Sequence, residues 1–303
     1  MKKIAGSICA LATPFRGDAL DLDAFSALID YQLAGGTQAL VVAGSTGEAH
    51  ALDADEFDRL LVFALERAAG RVLVLAGTGT ANTRKTIAAT LRAQALGADA
   101  ALVVAPYYVR PTQEGLFRHF SAIADEGGLP VVLYNVPSRT GCDLLPDTVA
   151  RLAGHARIAG IKEAVGDAAR VAALVALKTP DFTVLSGDDP SCARAMLAGM
   201  EGVISVAANV APAGMRALCD AALVGDTARA GSLDAGLAEL YALLGAEPNP
   251  IPVKWCLHRL DIGSPDLRLP LLPLSTSHHH RAQRVLEDLR LAVAVQPRHS
   301  GAA

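Results

Sequence analysis

The chain has 303 residues, 51 % of them hydrophobic, with 27 basic and 31 acidic residues and a formal net charge of −4. That length and apolar content suit one large domain with an appendage rather than two equal domains. Near-balanced charge without a long Lys/Arg block argues against a nucleic-acid track and favours a small-molecule partner.

Met1-Lys2-Lys3 ahead of an apolar run resembles the start of a secretory signal, but the run is short and stops at Thr13-Pro14. It is needed as the first of a series of strands. No stretch approaches the roughly 18 apolar residues of a membrane span, so no membrane partner and a cytoplasmic location are expected. Short runs rich in Val, Ile and Leu recur at residues 4–11, 39–43, 72–76, 100–105, 130–136, 157–162, 182–186 and 202–206. Most are followed by Gly, Pro or an acidic residue and then a helical pattern, the punctuation of repeated strand–helix units. Helices are predicted over 21–34, 53–69, 82–96 and 112–125. Each opens at or next to an Asp, Asn or Thr suited to capping, and Gly35, Gly70 and Gly97 mark helix ends.

Eight buried strand–helix units read as an α/β fold, a parallel (β/α)8 TIM barrel; an open doubly wound sheet shares the local pattern, and the count of eight favours closure. From about Thr227 the alternation gives way to helices over 227–244, 252–260 and 277–295. Residues 1–226 are therefore predicted as the barrel carrying the active site, and 227–303 as a C-terminal helical domain. The Pro-rich stretch 265–273 reads as a rigid connector, and residues from Gln296 as loose.

The five cysteines, Cys9, Cys142, Cys192, Cys219 and Cys256, are scattered, with no CxxC pair and no His at ligand spacing. That argues against zinc and for a reducing compartment. His278 to His280 are consecutive, and neighbours on a helix point in different directions, so no metal is expected there.

Lys162 closes the run Arg157-Ile158-Ala159-Gly160-Ile161-Lys162, and strict alternation sets Ile158, Gly160 and Lys162 on one face. An apolar surround disfavours the ammonium form, and the neutral amine is what attack on a carbonyl requires. A lysine at a strand end that simply reaches water is the plain alternative. In a barrel of this kind chemistry collects at the carboxyl ends of strands. There the chain places Gly44-Ser45-Thr46-Gly47-Glu48, Pro106-Tyr107-Tyr108, Tyr134-Asn135-Val136-Pro137-Ser138-Arg139-Thr140-Gly141, Lys162-Glu163 and Gly187-Asp188-Asp189. Three of only five tyrosines fall on this rim. Hydroxyls in a chain can pass protons, an arginine can clamp a carboxylate, and a neutral amine can form an imine. A phosphate loop competes for Gly44 to Gly47 and for Gly77-Thr78-Gly79, but neither has the Walker lysine or a complete dinucleotide fingerprint. Asp188 and Asp189 most simply cap the next helix.

Together these segments resemble the dihydrodipicolinate synthase family, class I aldolase-type enzymes of the lysine and diaminopimelate pathway. The likeness runs from Ala12-Thr13-Pro14-Phe15 to Arg268-Leu269-Pro270. Gly-x-Thr-Gly-Glu at 44–48 and Gly-Ile-Lys-Glu at 160–163 mark the superfamily. Val104-Ala105-Pro106-Tyr107-Tyr108, the segment Tyr134 to Gly141, and Asn249-Pro250-Ile251-Pro252-Val253-Lys254 are more specific. The resemblance implies that Lys162 forms a Schiff base with pyruvate, which then condenses with L-aspartate 4-semialdehyde. It implies Tyr134 as acid/base, and a proton relay of Ser45, Tyr134 and Tyr108, with Tyr108 reaching into a neighbouring subunit. Thr46 would hold pyruvate's carboxylate, Ile204 would line the pyruvate pocket, and Arg139 would receive the semialdehyde's carboxylate. Gly187 and Tyr107 complete the expected substrate-binding set. A homotetramer of tight dimers and no organic cofactor are implied too.

Two departures from the family pattern stand out. Ser45 occupies a relay position usually held by Thr, which keeps the hydroxyl but loses the methyl that restricts its rotamer. Ser here also occurs in N-acetylneuraminate lyases, so that lyase or another keto-deoxy sugar acid aldolase is the nearest rival, set apart by Arg139-Thr140-Gly141. A non-catalytic pyruvate-binding barrel is the rival of another class. The second departure concerns feedback: where lysine-inhibited relatives carry polar and acidic side chains, the matching positions are Ala49, Ala54, Phe57, Ala81 and Lys85. A cation at Lys85 should repel an inhibitor's ammonium, so lysine inhibition is expected to be weak or absent.

Overall fold

The computed structural model describes residues 3–295. β1 (Gly6–Ala10) leads into a small antiparallel hairpin, β2 (Phe15–Arg16) and β3 (Ala19–Leu20). Then come β4 (Ala39–Val42), β5 (Leu73–Gly77), β6 (Ala100–Val104), β7 (Val131–Asn135), β8 (Ile158–Glu163), β9 (Thr183–Ser186) and β10 (Gly202–Ser205). β1 and β4 to β10 close into a parallel barrel in which β10 returns to β1. The closed ring settles the alternative of an open sheet. The hairpin turns at Gly17-Asp18 and was not visible in the alternation of apolar residues.

These strands read as unbroken apolar runs because both faces are covered. Ile8, Val41, Leu75, Leu102, Val132 and Leu185 pack inside the ring, while their chain neighbours meet the surrounding helices. The expected caps are in place. Asp21, Asn82 and Thr112 accept the amides of Ala24, Lys85 and Gly115, and Asp53 with Glu56 forms a capping box. Helix Ala54–Ala68 stops one residue early, at Ala69 in the left-handed region (φ 48°) with Gly70 following at φ 70°. Helices Pro146–Ala153, Ala168–Val175, Asp189–Leu197 and Pro212–Leu223 complete the outer layer. Thr227–Leu244, Ile251–Arg259 and Thr276–Val295 follow, the first packed on Pro212–Leu223, Asp189–Leu197 and Thr276–Val295. Residues from Gln296, expected to be loose, lie outside the described residues. No helix among the described residues is long and apolar enough to cross a membrane.

β8 carries an irregularity that matters for the site. Val131 pairs with Ile158 but Val132 pairs with Gly160, so Ala159 is an extra residue, a β-bulge. Ile158 consequently packs outward with Val131, whereas Lys162 pairs with Tyr134 on the inner side. Strict alternation had set Ile158 on the face of Lys162; the bulge reverses that placement.

Candidate active site

A cavity of about 720 Å³ opens at the carboxyl ends of the strands. Lys162, Tyr134, Ser45, Thr46, Arg139, Gly187 and Tyr107 all line it. Ile204 lies deeper, fully buried in the inner barrel cluster with Tyr134 and Leu185. Tyr108 is held apart from the others: it is 89 % exposed, outside the cavity lining, with a left-handed backbone (φ 73°).

Lys162 is only 5 % exposed, and its Nζ sits 4.1 Å from the centroid of the Tyr134 ring. Adjacent strands in register bring the two together. The space for the lysine comes from Gly187, since a Cβ there would lie 2.9 Å from Lys162 Cε and Cγ.

The loop after β4 folds back on itself. Gly47 and Ala49 donate to the Gly44 carbonyl at 3.1 and 3.3 Å, and the Thr13 hydroxyl donates to the Gly47 carbonyl at 2.7 Å. Glu48 adopts the left-handed region (φ 52°), uncommon outside glycine. Ser45 and Thr46 are thereby presented to the cavity, and Thr46 Oγ1 accepts from Asn249 Nδ2 at 3.0 Å. Arg139 stands on the short helix Pro137–Thr140 directly after β7, where its Nη2 donates to the Asn249 carbonyl at 3.3 Å. An amine, a phenol, two hydroxyls and a guanidinium around one cavity suit a small keto acid and a second acidic substrate.

Residues 3–289 match the family model described as the dihydrodipicolinate synthetase family. The chain belongs to that family. It is 60 % identical over 301 residues to a 4-hydroxy-tetrahydrodipicolinate synthase of Xanthomonas axonopodis pv. citri, covering 99 % of both chains. A 4-hydroxy-tetrahydrodipicolinate synthase of Stenotrophomonas maltophilia is 57 % identical over 287 residues, covering 94 % of this chain and 96 % of the relative. Among solved structures, the chloride-inhibited dihydrodipicolinate synthase of Acinetobacter baumannii complexed with pyruvate superposes with a TM-score of 0.93 at 42 % identity. The match covers 95 % of this chain and 99 % of that one.

This dihydrodipicolinate synthetase family member braces its cavity with two networks that the sequence reading missed. Behind Lys162, the Glu163 carboxylate points outward and accepts from Asn135 Nδ2 and from the Val165 amide at 2.8 Å. Arg170 bridges Glu163 at 3.4 Å and Asp143 at 2.5 Å. Burial pushes the Glu163 carboxyl above its ordinary value, against the pull of these donors. Beneath the 44–48 loop, Lys254 pairs with Glu48 at 2.6 Å, both side chains fully covered. Burial pulls the Lys254 amine below its ordinary value, with Glu48 opposing. A lysine inside the otherwise apolar start of Ile251–Arg259 was the available signal for this pair; nothing local marked Asp143 or Arg170.

Asp188 caps helix Asp189–Leu197 as expected, accepting from the Ser191 amide at 3.1 Å. Asp189 does something else: it reaches the loop after β10 and accepts from the Val206 and Ala207 amides at 3.0 and 2.8 Å. Gly77 has a packing reason, since a Cβ there would collide with the Ala43 carbonyl. Among the described residues no group of three His, Cys, Asp or Glu side chains gathers to hold a metal ion.

Proposed function

We propose that this chain condenses pyruvate with L-aspartate 4-semialdehyde, through a Schiff base on Lys162, in lysine and diaminopimelate biosynthesis. The observation that carries the reading is Lys162 itself. It is the one lysine lining the cavity among the described residues, enclosed by the Tyr134 ring and by the space at Gly187.

Lys162 Nζ adds to the pyruvate ketone, and loss of water leaves an iminium. Its positive nitrogen takes up the electron pair when a methyl proton departs, giving an enamine, so no cofactor is called for. The enamine carbon attacks the aldehyde carbon, and the resulting alkoxide takes a proton. The amino group of the second substrate then adds to the iminium carbon, which closes the ring and releases the lysine. Tyr134 serves as acid and base, with Ser45 continuing the proton path. Thr46 holds pyruvate's carboxylate above Ile204, Arg139 receives the carboxylate of the semialdehyde, and Tyr107 forms the rim. Exposure of Tyr108 outside its own cavity supports a role in a neighbouring subunit's site, and a homotetramer built from tight dimers as the working assembly. In this reading the described strand–helix part up to residue 226 is the catalytic barrel, and the described helical part from residue 227 sends Asn249 back to the cavity.

Borohydride quenching after pyruvate treatment tests the chemistry. A stable mass increase on the peptide bearing Lys162 is expected, and an unmodified peptide overturns the proposal. Semialdehyde-dependent turnover tests the substrate. Turnover of N-acetylneuraminate or a keto-deoxy sugar acid in its place moves the chain to the rival aldolase activity.

A further inference from the structure

Thr46 and Asn249 are 203 positions apart in the chain, yet Asn249 Nδ2 donates to Thr46 Oγ1 at 3.0 Å. A hydroxyl has one proton and two lone pairs. When the amide occupies a lone pair, the hydroxyl proton is left for an acceptor elsewhere, and the received bond polarises the O–H and strengthens it as a donor. Thr46 is buried and lines the cavity, so that donor is available to an acidic ligand. The backbone carbonyl of the same Asn249 takes Arg139 Nη2 at 3.3 Å. One residue of the helical segment thus touches both groups assigned to the two substrate carboxylates.

Asn249 is anchored through the helix that follows it. Helix Ile251–Arg259 starts two residues later and carries Lys254, whose Nζ meets Glu48 Oε1 at 2.6 Å with the side chains 2 % and 0 % exposed. Glu48 Oε2 also accepts the Arg268 amide at 3.1 Å, and Lys254 Nζ lies 4.2 Å from the centroid of the Phe15 ring. Glu48 belongs to the same loop as Thr46, so the ion pair clamps the helix to the loop its neighbour Asn249 touches. Asn249 Oδ1 is buried without a hydrogen-bond partner, so the side chain is not held by optimal satisfaction of its own polar atoms.

We infer that Asn249 is the positioning residue that aims the Thr46 hydroxyl at the keto acid's carboxylate. This rests on the Schiff-base reading above and names a residue that reading leaves without a role. Asn249 acts through Thr46, so its effect should disappear when the Thr46 hydroxyl does.

The test is a double-mutant cycle of Asn249→Ala and Thr46→Val in the full chain, read as the pyruvate concentration that half-saturates the borohydride-trapped adduct on intact protein. Asn249→Ala is expected to raise that concentration about tenfold, the loss of one hydrogen bond's worth of binding. In the Thr46→Val background the same change should add less than about twofold. An unchanged value in Asn249→Ala, or an equal factor in both backgrounds, overturns the inference, because loosened packing acts with or without the hydroxyl. Asn249→Leu keeps the bulk and is read the same way if the alanine variant is unstable. Absence of any adduct on the parent chain overturns the Schiff-base reading and this inference together; an adduct with no Asn249 effect overturns this inference alone.

Discussion

Asn135 donates its side-chain amide to both carboxylate oxygens of Glu163, at 3.1 and 3.0 Å, one residue beyond the register pair Tyr134 and Lys162. The contact ties β7 to β8 on the outer side just where the amine faces inward. Replacing Asn135 by Leu leaves a buried carboxylate short of donors. Urea unfolding at neutral pH is expected to show a loss of about 1.5–3 kcal/mol, the range for hydrogen bonds to a charged group. An unfolding midpoint equal to the parent's counts against this account of the network.

Gly187→Ala should separate activity from stability. The added Cβ meets Lys162 Cε and Cγ at 2.9 Å, so the lysine chain must move. A misplacement of this kind costs about 10²-fold in turnover, while the melting temperature should change little. Steady-state kinetics beside a thermal scan checks both halves.

His119 gives the fold an acid-side weakness. Burial lowers its pKa from 6.5 to about 4; Nδ1 meets the Thr83 hydroxyl at 2.9 Å and Nε2 is buried without a partner. Between those two values the unfolded chain binds a proton that the folded ring refuses. Stability from this group is therefore complete above the unfolded pKa and is lost as pH falls from about 6.5 towards 4, by about 3 kcal/mol in all. His119→Leu should flatten that part of the profile in urea unfolding followed against pH.

Lys254→Met takes the ion-pair partner from the fully buried Glu48, leaving it the Arg268 amide at 3.1 Å. The expected loss is about 3–5 kcal/mol. Pairing it with Glu48→Gln should recover a substantial part of that, because no uncompensated charge then remains. Equal losses in the single and double variants would show that packing, not charge, governs the site.

L-lysine should inhibit weakly or not at all. Ala49, Ala54 and Phe57 line the cavity together with Arg92, and exposed Lys85 stands in the first turn of helix Thr83–Leu96. Arg92 already holds Asp58 at 2.5 Å, so that carboxylate is engaged. Submillimolar inhibition in a steady-state assay would contradict the expectation carried from the family resemblance.

Much of the barrel was legible because parallel strands covered on both faces appear as short apolar runs, and because Asp21, Asp53, Asn82 and Thr112 announce helix starts. The cavity-lining residues were legible for a related reason, since residues just past strand ends share one rim. Local patterns fail where partners are far apart in the chain. Asn249 on Thr46 and Lys254 on Glu48 join segments more than 200 residues apart, and periodicity carries no information at that range. Nor does it reveal a bulge, which is why Ile158 was set on the wrong side.

That bulge has an evolutionary corollary. Lys162 and Glu163 are adjacent ionisable groups pointing to opposite sides of one ribbon, and Lys162 looks inward because Ala159 is bulged out of the alternation rather than counted in it. Were Ala159 kept but taken up as a regular strand position after Ile158, the pair would invert, turning a carboxylate into the cavity and leaving the amine among helices. Deleting Ala159 would keep Lys162 facing inward, whereas a one-residue insertion between Gly160 and Lys162 would exchange amine for carboxylate in the cavity without altering a single side chain there.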